Sequence, residues 1–243
     1  MSVEFWLASR FKHPNSGIAG SPQERLDEFR NEQTMKILHI SCSPRGQHSE
    51  SYKVSRKIID FLRRSEPTAT VVDRVIGNGA IPHIDESYAT AVGGTEQSPA
   101  EIFPQGSMQL SEELILELES SDVLVIETPM HNFTVPSTLK AWIDHIVRVR
   151  RTFRLTPEGK IGTLRDRPVF VAVASGAKFS GDRARQPDFL TPYLTAILGT
   201  IGLHDLTFFS VEGTGLGPGV AAKAWARTDQ ALQAYFSSSV ASL

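Results

Sequence analysis

The sequence predicts an α/β fold, a doubly wound parallel sheet of five strands with helices on both faces. Three observations predict it. Short apolar runs alternate with stretches of helical spacing from Met35 to Phe236. Val123-Leu-Val-Ile126 is a continuous apolar run, as suits a central parallel strand covered on both sides. The 243 residues are 40% hydrophobic and 21% charged, enough to build one generous core.

Residues 1–34 stand apart. They are polar, carry Pro14, Gly17, Gly20 and Pro22, and show no sustained period. They read as a loosely ordered N-terminal extension, with the domain proper spanning 35–243. Strand one covers about 36–42. A helix over 49–64 puts Val54, Ile58, Phe61 and Leu62 on one face. Strand two lies near 70–75. The polar, Gly- and Pro-containing segment 77–108 is too long for an ordinary connection and reads as part helix, part functional loop. Ser111-Glu112-Glu113 has the look of a helix start, with a capping hydroxyl followed by first-turn carboxylates. Strand three is the run at 123–126. The helix after Pro136 places Leu139, Trp142, Ile143, Ile146 and Val147 on a stripe broad enough for a dimer interface. Strand four spans 168–174, a helical stretch 191–201, strand five 206–211 and a last helix 220–236. No internal repeat is visible.

Charge and cysteine usage narrow the function. A net charge of −2 and a pI near 6.4 give no general attraction to nucleic acid or anionic membranes. The basic cluster Arg148, Arg150, Arg151 and Arg154 reads chiefly as a solvated helix end, with a nucleotide phosphate contact as the minority reading. Cys42 is the only cysteine, so neither an intrachain disulfide nor a cysteine metal cage can form. No apolar run reaches the roughly 20 residues of a membrane span. The first 30 residues lack the apolar core of a signal peptide. The expectation is a soluble, cytoplasmic protein.

In open α/β sheets ligands sit beyond the carboxyl ends of the strands, so the loops after strands one, three and four hold the chemistry. The first, Ser41 to Ser51, is a strand, a hydroxyl-rich turn and a helix N-terminus. Free N–H groups and the helix dipole attract a phosphate there, and Ser43, Ser49 and Ser51 offer hydroxyls. A plain capped helix is the competing reading. Neither G-x-G-x-x-G nor G-x-x-x-x-G-K-S/T is present. After strand three, Met130, His131, Asn132 and Phe133 offer apolar, aromatic and amide groups to a flat heterocycle. After strand four, Ala174-Ser175-Gly176-Ala177 would let the backbone approach a cofactor closely.

Together these loops carry a resemblance. The chain resembles the FMN-dependent NADH-azoreductase family, which is similar to NAD(P)H:quinone oxidoreductases. The likeness runs from Met35 to about Phe236. It rests on the serine-rich first loop, P-M-H-N-F-x-V-P-S-T-L-K-A-W-I-D at 129–144, T-F-R-x-T-x-x-G at 152–159, L-T-P-Y-L-x-x-I-L-G-x-I-G at 190–202, and Glu212-Gly213. It implies a flavodoxin-like sheet of order 2-1-3-4-5, an order the general rule for this fold associates with FMN at the switch point. It also implies a homodimer with one FMN per subunit, NADH or NADPH as donor, and quinones or azo compounds as acceptors. By the resemblance, Ser43 and Ser49-Glu50-Ser51 hold the FMN phosphate and its surroundings. Met130, His131, Asn132 and Phe133 line the isoalloxazine, and Ala174, Ser175, Gly176 and Ala177 form a second flavin-contacting turn. Three positions depart from the family pattern: Glu50 replaces an amide, His131 a tyrosine or tryptophan, and the fourth loop lacks the usual double glycine.

The chemistry would be the flavin's, with no catalytic side chain of the protein's own and His131 as a modulator at its edge. Among the remaining histidines, His39 lies in strand one, His145 in a helix and His204 at a strand entry; no pair shows metal-ligand spacing, so no metal is expected. No Gly-x-Ser-x-Gly elbow points to a hydrolase. An alternative from another class is a flavodoxin-like electron carrier or flavin-binding regulatory module without turnover of its own.

Overall fold

The computed structural model describes residues 34–94, 101 and 104–240. The extension expected over 1–34 therefore lies outside the described residues, Thr34 excepted. In chain order the elements are β1 (Lys36–Ser41), α1 (Glu50–Ser65), β2 (Thr70–Val75), α2 (Glu86–Gly93), α3 (Gly106–Ser120), β3 (Val123–Pro129) and α4 (Ser137–Ile146). There follow β4 (Phe153–Thr156), β5 (Gly159–Gly162), β6 (Val169–Ser175), α5 (Leu190–Thr200), β7 (Leu206–Glu212) and α6 (Pro218–Val240).

Five parallel strands form one sheet in the order β2-β1-β3-β6-β7. Counting only these strands, that is 2-1-3-4-5, as the resemblance implies. The continuous apolar run in β3 is explained by its place at the centre. Leu124 and Ile126 point into a core shared with α3, α4 and α5, while Val123 and Val125 point into a second core under α1 and α6. Each such side chain contributes about 1.5–3 kcal/mol on full burial. In α1 the expected face is buried at Val54, Ile58 and Leu62, and Phe61 stacks on Phe236 of α6 with ring centroids 4.9 Å apart.

Three expectations need correction. First, α3 begins at Gly106, before Ser111. The hydroxyl of Ser111 is buried and donates to the His145 carbonyl at 2.6 Å, so it locks α3 to α4 and caps nothing. Second, the stripe of α4 is no interface: Leu139, Trp142, Ile143 and Ile146 are buried in the core. Its length and apolarity were legible; which surface covered it was not.

Third, the arginine cluster is not a solvated helix end. Arg148 is buried and pairs with Glu112 of α3, Arg150 pairs with Glu101, and Arg151 pairs with Glu112 and Glu119. Arg148 and Arg151 clamp the segment after α4 onto α3, while Arg154 is exposed. The stretch from Phe153 to Gly162, for which the sequence predicts no element, forms an antiparallel hairpin, β4–β5, outside the main sheet. Gly162 lets that hairpin reach the body of the protein, because a Cβ there would stand 2.2 Å from the Gly202 nitrogen.

Candidate functional site

The loops after β1, β3 and β6 meet at one end of the sheet, joined by backbone and side-chain bonds. Cys42 donates its N–H to the Glu127 carbonyl, and Met130 donates its N–H to the Ala174 carbonyl at 2.8 Å. The Thr138 hydroxyl of α4 reaches the Cys42 carbonyl at 3.3 Å. The sequence-predicted residues thus converge as three adjoining groups.

The first group is the turn after β1. A short 3₁₀ turn at Gly46–His48 leads into α1, whose first-turn N–H groups have no intrahelical acceptors. Ser43, Ser49 and Ser51 are all buried at this helix start. Behind them stands Glu127 of β3, a residue the sequence reading passed over. Its carboxylate has no solvent exposure. It accepts hydrogen bonds from the Ser41 hydroxyl at 2.9 Å, the Ser43 N–H at 3.0 Å and the Ser51 hydroxyl at 2.5 Å. The Ser49 and Ser51 oxygens lie 2.6 Å apart. The Cys42 thiol is fully buried, and its pKa is raised by that burial first and by the Glu127 charge second.

Glu50 turns away from this group. Its carboxylate accepts from the Trp225 indole N–H at 2.6 Å and from Lys53 at 2.7 Å. Burial pushes its pKa up, but these bonds outweigh it and hold the group below the usual carboxylate range. Glu50 ties α1 to α6, so its side chain does not compete for an anion at the turn.

Turn geometry is held from outside by Gly77. A Cβ at that position would meet the Ser43 carbonyl oxygen at 2.1 Å. Only glycine permits the chain after β2 to pass so close to the serine loop.

The second group follows β3. His131 and Thr134 exchange both backbone hydrogen bonds, at 2.9 and 3.0 Å, around Asn132 and Phe133. Those two residues have φ of 49° and 71°. Two positive φ values in a row make this the mirror-image tight turn. Asn tolerates that region, whereas Phe is uncommon there and carries strain of about 1–3 kcal/mol. The turn leaves His131, Asn132 and Phe133 exposed and Met130 buried beneath them.

The third group follows β6. Ala174 is half-buried, Ser175 buried, Gly176 exposed and Ala177 half-buried. Gln186, also missed, reaches back to donate to the Ser175 hydroxyl at 2.8 Å and to the Met130 sulfur at 3.0 Å. The loop from 177 to 188 is itself held by Glu212 of β7, which accepts from the Phe179 and Ser180 N–H groups at 2.9 and 3.1 Å. Sequence spacing carries no signal for either contact, because both span a loop of irregular length.

His39 enters a Ser–His–Asp array that invites a hydrolytic reading. Its Nδ1 lies 2.7 Å from Asp73 and its Nε2 2.9 Å from the Ser55 hydroxyl. Yet Ser55 and His39 have no solvent exposure, and Ser55 donates its proton to the Tyr52 carbonyl. No substrate reaches that hydroxyl, so the array is a tie between β1, β2 and α1. Among the described residues, no group of three or more His, Cys, Asp or Glu side chains could hold a metal, and no helix is long and apolar enough to cross a membrane.

The residues present fit a flavin phosphate at the first group. First-turn N–H groups of α1 lie at that turn, and the Ser43 hydroxyl, which accepts the Arg45 N–H at 3.2 Å, donates to no protein atom among the described residues. The strained turn after β3 and the open backbone at Gly176 suit a flat ring beside it.

Comparison with known proteins agrees. A model for proteins of flavodoxin-like fold matches residues 35–236. FMN-dependent NADH:quinone oxidoreductase 4 of Pseudomonas fluorescens is 46% identical over 181 residues, covering 74% of this chain and 85% of the relative. FMN-dependent NADH:quinone oxidoreductase 2 of Cupriavidus pinatubonensis is 42% identical over 194 residues, covering 79% and 93%. Among solved structures, an FMN-dependent NADH-azoreductase from Bacillus anthracis in complex with FMN superposes with a TM-score of 0.65 at 25% identity, covering 82% of this chain and 98% of that one.

Proposed function

This chain belongs to the family of flavodoxin-like fold, and we propose that within it the chain is an FMN-dependent NADH oxidoreductase that reduces quinones and azo compounds. The observation that carries this reading is the junction of the three loops at the carboxyl end of β1, β3 and β6, in a chain 46% identical to a named NADH:quinone oxidoreductase. Bound FMN supplies two-electron transfer from the nicotinamide to the acceptor. The protein's part is to bind and orient. The α1 N-terminus and Ser43 hold the phosphate, with Ser49, Glu50 and Ser51 around it. Met130 and the turn His131-Asn132-Phe133 place the ring, with His131 at its edge. Ala174, Ser175, Gly176 and Ala177 would offer backbone contacts to it.

Two further readings belong to the proposal. The protein acts as a cytoplasmic homodimer. In support, Phe133 and Phe189 stand exposed at the mouth of the site, and the β4–β5 hairpin carries exposed Leu155 and Ile161. A two-stranded hairpin is marginal without a covering surface. Residues 35–243 form the flavin-binding domain and 1–34 an appendage, a boundary supported by the family match beginning at 35.

The test is direct. Purified protein should be yellow with bound flavin, and should oxidise NADH steadily with a quinone and no protein partner. A colourless protein that takes up no FMN sinks the reading. Bound flavin without turnover would leave an electron carrier instead.

A further inference from the structure

Glu127 occupies an unexpected place for a carboxylate. The residue follows the apolar run Val123–Ile126 within β3, and its side chain points from the sheet toward the α1 N-terminus, where the positive end of the helix dipole favours one anion. No cation bonds to it among the described residues. On the neighbouring elements Lys53 pairs with Glu50, and His39 bonds Asp73 and Ser55. Its only support is hydroxyl and amide donors.

Following the protons shows what those donors can still do. Each serine hydroxyl has one proton. Ser51 gives its proton to Glu127 at 2.5 Å. The Ser49–Ser51 contact at 2.6 Å then needs a proton from Ser49. Both hydroxyl protons therefore run toward Glu127, and the Ser43 N–H runs there too at 3.0 Å. Two residues expected to donate to a phosphate are turned inward by an internal acceptor.

We propose that Glu127 is a specificity-determining residue of the flavin site, an internal competitor that takes the Ser49 and Ser51 protons and so weakens recognition of the FMN phosphate. This rests on the flavin reading above and deepens it. The phosphate meets fewer donors and a carboxylate behind them, so the flavin is held mainly through its ring and is readily exchanged. Glu127→Gln isolates the effect. Its amide oxygen keeps the Ser41 hydroxyl and Ser43 N–H bonds, while its NH₂ donates to Ser51 in place of accepting from it. The hydroxyl chain then reverses, Ser51 donating to Ser49, and the Ser49 proton becomes available to a phosphate.

The experiment titrates flavin-free wild type and Glu127→Gln with FMN and with riboflavin, which lacks the phosphate, following quenching of flavin fluorescence. In the wild type FMN should bind no more than about tenfold tighter than riboflavin. In Glu127→Gln the Kd for FMN should fall by about tenfold or more, with riboflavin changed less than about twofold. Weaker FMN binding in the variant, or an equal change for both flavins, overturns the proposal and leaves Glu127 as a support for the loop. If the variant does not fold, the wild-type ratio decides, since a preference for FMN above about tenfold is incompatible with a competed phosphate site. Binding of neither flavin to either protein would remove the flavin reading, and this proposal with it.

Discussion

Phe189 donates its backbone N–H to the Phe133 carbonyl at 3.0 Å, so the start of α5 hangs from the turn after β3. The bond sets two aromatic rings at one rim of the site, 44% and 60% exposed. Exposure of this size on adjacent aromatics marks a contact surface more than a core defect. The double variant Phe133→Ser, Phe189→Ser should keep its melting temperature within about 3 °C, since neither ring is buried in the chain. In analytical ultracentrifugation it should shift from dimer toward monomer. An unchanged dimer places the interface elsewhere.

Gly77 is expected to be the most sensitive small residue near the site. A methyl group there would stand 2.1 Å from the Ser43 carbonyl oxygen, so the serine loop or β2 must move. Gly77→Ala should cost about 1–3 kcal/mol by overpacking. The flavin should also be bound more weakly, because the displaced loop carries Ser43. Denaturant unfolding and flavin titration check the two effects separately. Wild-type stability and affinity together would mean the close approach is unimportant.

The Asp73–His39 tie gives a pH signature. The hydrogen bond with His39 lowers the Asp73 pKa, and the charges of His39 and Arg56 add to it against partial burial. A carboxyl lowered on folding contributes stability that is present above its unfolded pKa, near 3.9, and is lost as pH falls through the folded value. Asp73→Asn should therefore melt below wild type at pH 6, with the gap closing below about pH 4. The Asp73 side chain is half-exposed, so screening keeps the effect small. A gap that persists unchanged at pH 3 would assign the loss to packing instead.

The kinetic order follows from the shape of the site. A nicotinamide and an aromatic acceptor each must come within roughly 3–3.5 Å of the same ring to react. The turn at 131–134 walls one side of that space, and Gln186 fixes Ser175 and Met130 below it. Donor and acceptor should therefore alternate. Double-reciprocal plots against NADH at several quinone concentrations should be parallel. Intersecting lines would show both bound at once.

The sheet was legible in the sequence because its signals are local. The run at 123–126, the spacing of Val54, Ile58 and Leu62, and the apolar run at 169–173 all reflect burial on fixed faces. What escaped depends on partners distant in the chain. Arg148 and Glu112 are 36 residues apart, so a buried clamp looked like a charged helix end. The four-residue strands β4 and β5 are too short to show a period. Glu127 had a readable signal, a lone carboxylate directly after the apolar run 123–126, but its serine partners are 76 to 86 residues away.

The burial of Cys42 has a practical side. The chain has no other cysteine, and this thiol is sealed from solvent with its pKa raised by burial and by Glu127. Thiolates are what alkylating reagents attack, so the native protein should be nearly silent toward maleimides. A cysteine introduced at an exposed point such as Ser180 in the loop after β6 would then be the single site that accepts a dye or spin label. Pulsed dipolar spectroscopy could read the spacing between two labelled copies without any background substitution.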